Sequence, residues 1–165
     1  MQYKTGIKVR KPLDVLIRNG TVIDGSGNPE FHADIAIRGG RIVALERLDR
    51  AEAALEIDAG GKIVAPGFID AHSHTDTTVL YNPTLDSSIR QGVTTEIVGN
   101  CGNSFVPAAD DSGQALKISG IQIDGDVPRD SLGSFAAYLE KRGLRGNLAW
   151  LVGHNAVRSL AGVHG

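Results

Sequence analysis

The sequence predicts an α/β chain in two parts: a small antiparallel β unit over residues 13–65, then parallel βα units from Pro66 onward. Three observations carry this. Short β-branched runs separated by glycine-bearing turns fill the first part. From Pro66 the order becomes strand, helix, strand. The strands of that second part are apolar on nearly every residue, as strands covered on both faces are.

In the first part LDVLI (13–17), RNG (18–20) and TVID (21–24) read as a hairpin, as do ADIAI (33–37), RGG (38–40) and RIVAL (41–45). Gly20, Gly39 and Gly40 supply the positive φ that a two-residue turn demands. LEID (55–58) and KIVA (62–65) flank Ala59-Gly60-Gly61 and complete the unit, which carries no clustered polar group beyond turn residues. It reads as scaffold.

In the second part GFIDAHSH (67–74) is the first strand. PTLDSSIRQG (83–92) is a helix with Asn82 as N-cap, Pro83 at its first position and Gly92 as terminator. VTTEIVGN (93–100) is the second strand. Residues 131–143 form a helix whose Leu132, Phe135, Ala136 and Leu139 make one apolar stripe, with Gly143 at its end. NLAWLVGHN (147–155) is the third strand, apolar enough to be buried on both faces. A closed (β/α)8 barrel takes about 250 residues, so if these are barrel strands the 165 residues hold the first three units, well under half of one, truncated.

The composition, 41% apolar and 22% charged, is that of a globular protein, and the net charge of −2 comes without a run of either sign. No nucleic-acid partner is expected. The longest apolar stretch, near 147–153, is far below the roughly 20 residues of a membrane span, and no signal peptide is expected. The expected location is cytoplasmic, with no membrane partner. A single cysteine, Cys101, closes no intramolecular disulfide.

The chemistry gathers at strand ends. His72 and His74 form an H-x-H at the carboxyl end of the first strand, where alternate residues point to one face and the two imidazoles can share a metal ion. Cys101 follows the second strand between Gly99 and Gly102, in a polar, turn-rich setting that favours coordination over a buried thiol or a nucleophile. The third strand leads to His154, a third imidazole, a substrate donor or a loop lock, and to Arg158, which can clamp a carboxylate or lie solvated. Asp76 and Asn100 flank the metal candidates. Glu96, in an otherwise apolar strand, is expected to be buried with a hydrogen-bonded partner. His32 and His164 are expected to be uninvolved. Ser104–Arg129, a long loop, is expected over the strand carboxyl ends as a lid, with Asp110, Asp111, Asp124 and Asp126 as solvated turn formers.

These motifs resemble the N-terminal part of the metal-dependent amidohydrolases, specifically the N-acyl-D-amino-acid deacylases. APGFIDAHSHTD (65–76) is similar to the superfamily's first-strand signature, which hydantoinases and dihydroorotases share. QGVTTEIVGNCGNSFVPA (91–108) resembles the deacylase pattern, in which a cysteine rather than a carboxylated lysine meets the metal; VGHNAVR (152–158) also resembles a deacylase segment.

The resemblance implies domains at 1–65, part of a small β-sandwich-like domain, and 66–165, the start of the amidohydrolase barrel. It implies Zn2+ as cofactor, one ion tightly bound and room for a second, weaker site, with His72, His74 and Cys101 as metal ligands: His72 and His74 correspond to one metal position and Cys101 to the tightly bound zinc. Asp76, Asn100, His154 and Arg158 are then residues that touch substrate or brace the ligands. The implied reaction is hydrolysis of N-acyl-D-amino acids to a carboxylate and a D-amino acid. The general-base aspartate and two further histidines are expected beyond Gly165, so these 165 residues alone are expected to be inactive and to need a C-terminal barrel portion or to self-associate. The alternatives are a cyclic-amide hydrolase of the hydantoinase or dihydroorotase type and a non-catalytic truncated module.

Overall fold

The computed structural model describes residues 12–108 and 127–162, and the chain divides into two compact units, Met1–Pro66 and Gly67–Gly165. His164 and the aspartates at 110, 111, 124 and 126 lie outside the described residues.

The first unit is built from β1 (Leu13–Val22), β2 (Phe31–Arg38), β3 (Arg41–Glu46), β4 (Ala53–Asp58) and β5 (Ile63–Val64), in the order β3-β2-β1-β4 with β5 also on β1. The β2–β3 hairpin turns at Gly39 and Gly40, φ 56° and 69°, as expected. The expected turn at Arg18-Asn19-Gly20 is instead a β-bulge inside one continuous strand: pairing steps from Ile17↔Ile35 to Gly20↔Ala33, two intervening residues against one. Asn19, not Gly20, takes positive φ, 60°, and its N–H donates to Asp34 Oδ1 at 2.9 Å. Gly20 is needed for space, since a Cβ there would lie 2.7 Å from Val64 Cγ2.

The sheet is mixed rather than antiparallel, because β4 and β5 run parallel to β1. The physical reason is the connection after β3. Residues 47–52 carry the chain back to the starting level of β1, and Leu48 and Ala51 pack on Leu13, Leu16, Ala36 and Ala44. Arg18 fastens this crossover by donating to the carbonyls of Leu48 and Ala51, at 3.0 and 2.5 Å.

The second unit contains a parallel sheet of β6 (Phe68–Asp70), β7 (Val93–Val98) and β8 (Asn147–Trp150), in that order. Between β6 and β7 lie a 3-10 turn, Thr75–Thr77, and α1 (Asp86–Ile89); α2 (Leu132–Arg142) precedes β8 and α3 (His154–Leu160) follows it. The helix expected from Pro83 is a single turn that begins after Leu85, not after Asn82. Leu85 takes φ 50° and is buried with Val79, Leu80 and Leu139; burial of that side chain overrides the N-cap signal. Gly92, φ 83°, ends the segment as expected.

Ser131 caps α2, accepting the Ser134 N–H at 3.2 Å. Phe135 and Leu139 on its stripe are buried, with the Phe135 ring 4.9 Å from Phe105 and 5.5 Å from Trp150. The expectation that β8 is covered on both faces is not met. Leu148 and Trp150 pack toward the helices, but Ala149 is exposed and Leu151 and Val152 are each 49% exposed, because no layer covers the other face among the described residues. The expected lid falls mostly on residues outside the described set. Of its flanks, Phe105 and Val106 belong to the core, and Ala108 N–H donates to Arg129 O at 2.9 Å. No described helix is long and apolar enough to cross a membrane.

Candidate metal centre

His72 and His74 lie two and four residues past the end of β6 rather than on the strand itself. The chain nevertheless stays aligned with β7, because Ser73 N–H donates to Ile97 O at 3.0 Å. Asp70 Oδ1 accepts the His72 N–H at 3.0 Å. Both histidines are exposed and their ring centroids are 5.6 Å apart, whereas Ser73 and Thr75 are half-buried.

Cys101 sits in a sharp turn after β7 in which Gly99, Cys101 and Gly102 take φ of 81°, 56° and 76°. A non-glycine residue in this region costs about 1–3 kcal/mol, and such residues gather at functional sites. The turn is forced by close packing: Leu151 N–H donates to Val98 O at 2.9 Å, and Asn155 N–H donates to Gly102 O at 2.8 Å. The thiol is thereby exposed beside the imidazoles, with His72 Nε2 3.1 Å from Cys101 Sγ.

One ligand atom from each of His72, His74 and Cys101 lies within 4.8 Å of the other two. Ligands on a tetrahedral zinc ion are about 3.5 Å apart, a spacing close to that of this set. Two imidazoles and a thiol form a donor set suited to zinc, and the residues present fit that group.

The residues that flank these three are hydrogen-bonded to the surrounding segments. Asn100 Nδ2 donates to Ile97 O at 2.7 Å and to Ser73 O at 3.3 Å. Asp76 is fully buried; Oδ2 accepts the Phe105 N–H at 2.8 Å while Oδ1 has no hydrogen bond. Burial pushes its carboxyl above the ordinary range, and the Phe105 N–H and the nearby His74 offset only part of that. Glu96 is 3% exposed, and its Oε2 accepts from Ser73 Oγ and Thr75 Oγ1, both at 2.5 Å. Burial raises its pKa, but these two hydroxyls, with a looser approach of Ser88, outweigh it and hold the carboxyl below its ordinary range.

His154 and Arg158 lie one turn apart on α3, and neither belongs to the three-residue ligand group. His32 is on β2. Sequence reasoning missed Ser73, Thr75 and Asn155. The first two were detectable in AHSHTD, where hydroxyl residues occupy the phase opposite to the histidines.

Residues 55–157 match the amidohydrolase family. Over 154 residues the chain is 41% identical to the N-acyl-D-glutamate deacylase of Alcaligenes xylosoxydans xylosoxydans, covering 93% of the chain and 31% of that protein. It is 37% identical over 149 residues to the D-aminoacylase of the same organism, covering 90% and 31%. Among solved structures it is similar to the Bordetella bronchiseptica N-acyl-D-glutamate deacylase complexed with zinc and a phosphonate mimic of the tetrahedral intermediate, with TM-score 0.76, 40% identity and coverage of 90% and 31%. A solved D-aminoacylase gives TM-score 0.71 at 36% identity, with the same coverage. The chain belongs to the amidohydrolase family and is of hydrolase lineage. It spans about a third of the length of these relatives.

Proposed function

We propose that the chain is part of a zinc-dependent hydrolase of N-acyl-D-amino acids, with His72, His74 and Cys101 as the metal ligands. The observation that carries this reading is the meeting of a cysteine from the turn after β7 with the H-x-H after β6, ligand atoms within 4.8 Å. A bound zinc ion would supply Lewis acidity at the amide carbonyl and lower the pKa of water to about 7. The chain's own residues orient the site. Asn100 and Asp76 brace the two ligand segments. His154 and Arg158 stand on a helix tied to the Cys101 turn through the Asn155 N–H, within the segment that would meet the substrate's polar groups. A guanidinium binds a carboxylate in a planar, bidentate way.

Residues 66–165 would be the start of a (β/α)8 barrel and residues 1–65 part of a small β-sandwich-like domain. The general-base aspartate and two further histidines would come from chain beyond Gly165. Phe68, Ile69, Leu151 and Val152, 49–66% exposed, would be covered by that portion or by self-association. A reducing, cytoplasmic compartment suits an exposed free thiol.

The test is the full-length protein. It should release amino acid from N-acetyl-D-amino acids far faster than from the L forms, and Cys101→Ala should lower zinc content and turnover together. Faster ring opening of hydantoin or dihydrouracil would move the assignment to the cyclic-amide hydrolases. Unchanged zinc and turnover in the variant would remove Cys101 from the site.

A further inference from the structure

We propose that Glu96 is a positioning residue for the metal-ligand segment: by holding Ser73 and Thr75 behind the site it sets how His72 and His74 are presented to Cys101. This rests on the metal-site reading above and assigns it a further residue.

The residues alternate in role. His72 and His74 are exposed, whereas Ser73 and Thr75 are half-buried and both hydroxyls donate to the same Glu96 oxygen at 2.5 Å. Ser73, between the two histidines, is held at each of its polar groups by the segment that leads to the cysteine. Its N–H donates to Ile97 O, its carbonyl accepts from Asn100 Nδ2 and its hydroxyl donates to Glu96. One stretch, residues 96–101, thus carries Cys101 and fixes the loop bearing the other two donors.

A carboxylate here is not needed for packing. Its strand neighbour on the same buried face is Val98, fully covered, and taking an ion out of water is costly. An apolar residue would serve a purely structural role better. The two hydroxyls offset part of that cost at Oε2, while the buried Oε1 accepts no hydrogen bond among the described residues, and both hydroxyls belong to the ligand segment. Partners that hydrogen-bond metal ligands directly shift metal affinity by about 10–100-fold when removed, and Glu96 acts one residue further out, through the backbone of the segment that bears them.

The experiment compares wild type with Glu96→Met and Glu96→Gln in two readouts: amide exchange at Ser73 in the metal-free protein, and zinc affinity by chelator competition. Glu96→Met is expected to speed Ser73 exchange roughly tenfold or more and to weaken zinc about 10–100-fold, while the urea midpoint stays level or rises. Glu96→Gln keeps an amide oxygen with two lone pairs and should retain zinc to within a few fold of wild type. Wild-type exchange and wild-type affinity in a folded Glu96→Met would overturn the proposal. Should that variant fail to fold, the double variant Ser73→Ala, Thr75→Val removes both donors and is expected to show the same loss of zinc; unchanged affinity there overturns it equally. A wild-type protein that binds no zinc would refute the metal reading, whereas Ser73 exchange would still decide whether Glu96 orders the loop.

Discussion

A methyl group at Gly99 would lie 1.9 Å from the Leu151 carbonyl oxygen, at a residue whose φ is 81°. Neither the backbone conformation nor the space admits a side chain, and the obstacle is backbone that cannot rotate away. Gly99→Ala should therefore destabilise the protein by about 2–5 kcal/mol, the left-handed cost plus overpacking, read as a fall in the denaturant midpoint. A wild-type midpoint would show that the turn before Cys101 is not fixed by its packing on the β8 end. At this scale the sequence was informative about the candidate ligands and less so about what holds them. H-x-H and the glycine-flanked cysteine are local patterns. The Glu96 partners come from a loop more than twenty residues away in sequence, and only the alternation of hydroxyls with histidines in AHSHTD hinted at them.

Elements with a local signal were the most legible. The 39–40 hairpin follows from two consecutive glycines, and α2 follows from its stripe, in which Phe135 is fully buried. Phe135→Ala should lose about 3–5 kcal/mol, checked by chemical denaturation; a loss below about 1 kcal/mol would mean that the core between α2 and β8 collapses around the cavity. The misread elements are those decided by partners distant in sequence. Asn19-Gly20 has the local conformation of a turn, but β2 pairs on both sides of it and makes it a bulge. The direction of β4 is set by the 47–52 crossover, which no residue pattern announces.

The same edge of the sheet predicts a pH response. Glu56 is held below its ordinary pKa by the Arg18 hydrogen bond, and Asp58 by the Asn19 side chain and then the Gly60 N–H. Depressed carboxyl pKa values add stability that is present above the unfolded values near 4 and lost as pH falls through the folded ones. The first unit's denaturant midpoint should fall as the solution is acidified below about pH 4, and less so in Arg18→Met, although that variant starts from a lower midpoint. An identical acid response in both would detach the effect from Glu56.

At the scale of the whole molecule, apolar side chains stand open on the second sheet, among them Phe68 at 62% and Ile69 at 66% exposure. The first strand of that sheet, Phe68–Asp70, pairs on one side with Val93–Val98 and has no second neighbour among the described residues. An unpaired edge beside apolar surface favours association. The 165-residue chain by itself should sediment as concentration-dependent oligomers. A monodisperse monomer with deacylase activity would contradict both this and the placing of the general base beyond Gly165. The proposed barrel has the same origin: strand, helix, strand alternation is visible in sequence, and among the described residues it gives an open three-stranded parallel sheet.

In the proposed site two imidazoles and one thiol from separate strand ends hold one metal ion. Cobalt titration of the metal-free protein tests it most directly, because a thiolate-to-cobalt charge-transfer band reports sulfur coordination without reference to catalysis. The band should appear on titration, disappear in Cys101→Ser, and weaken in His72→Ala and His74→Ala. Cobalt binding without the band, or a band that persists in Cys101→Ser, would contradict it.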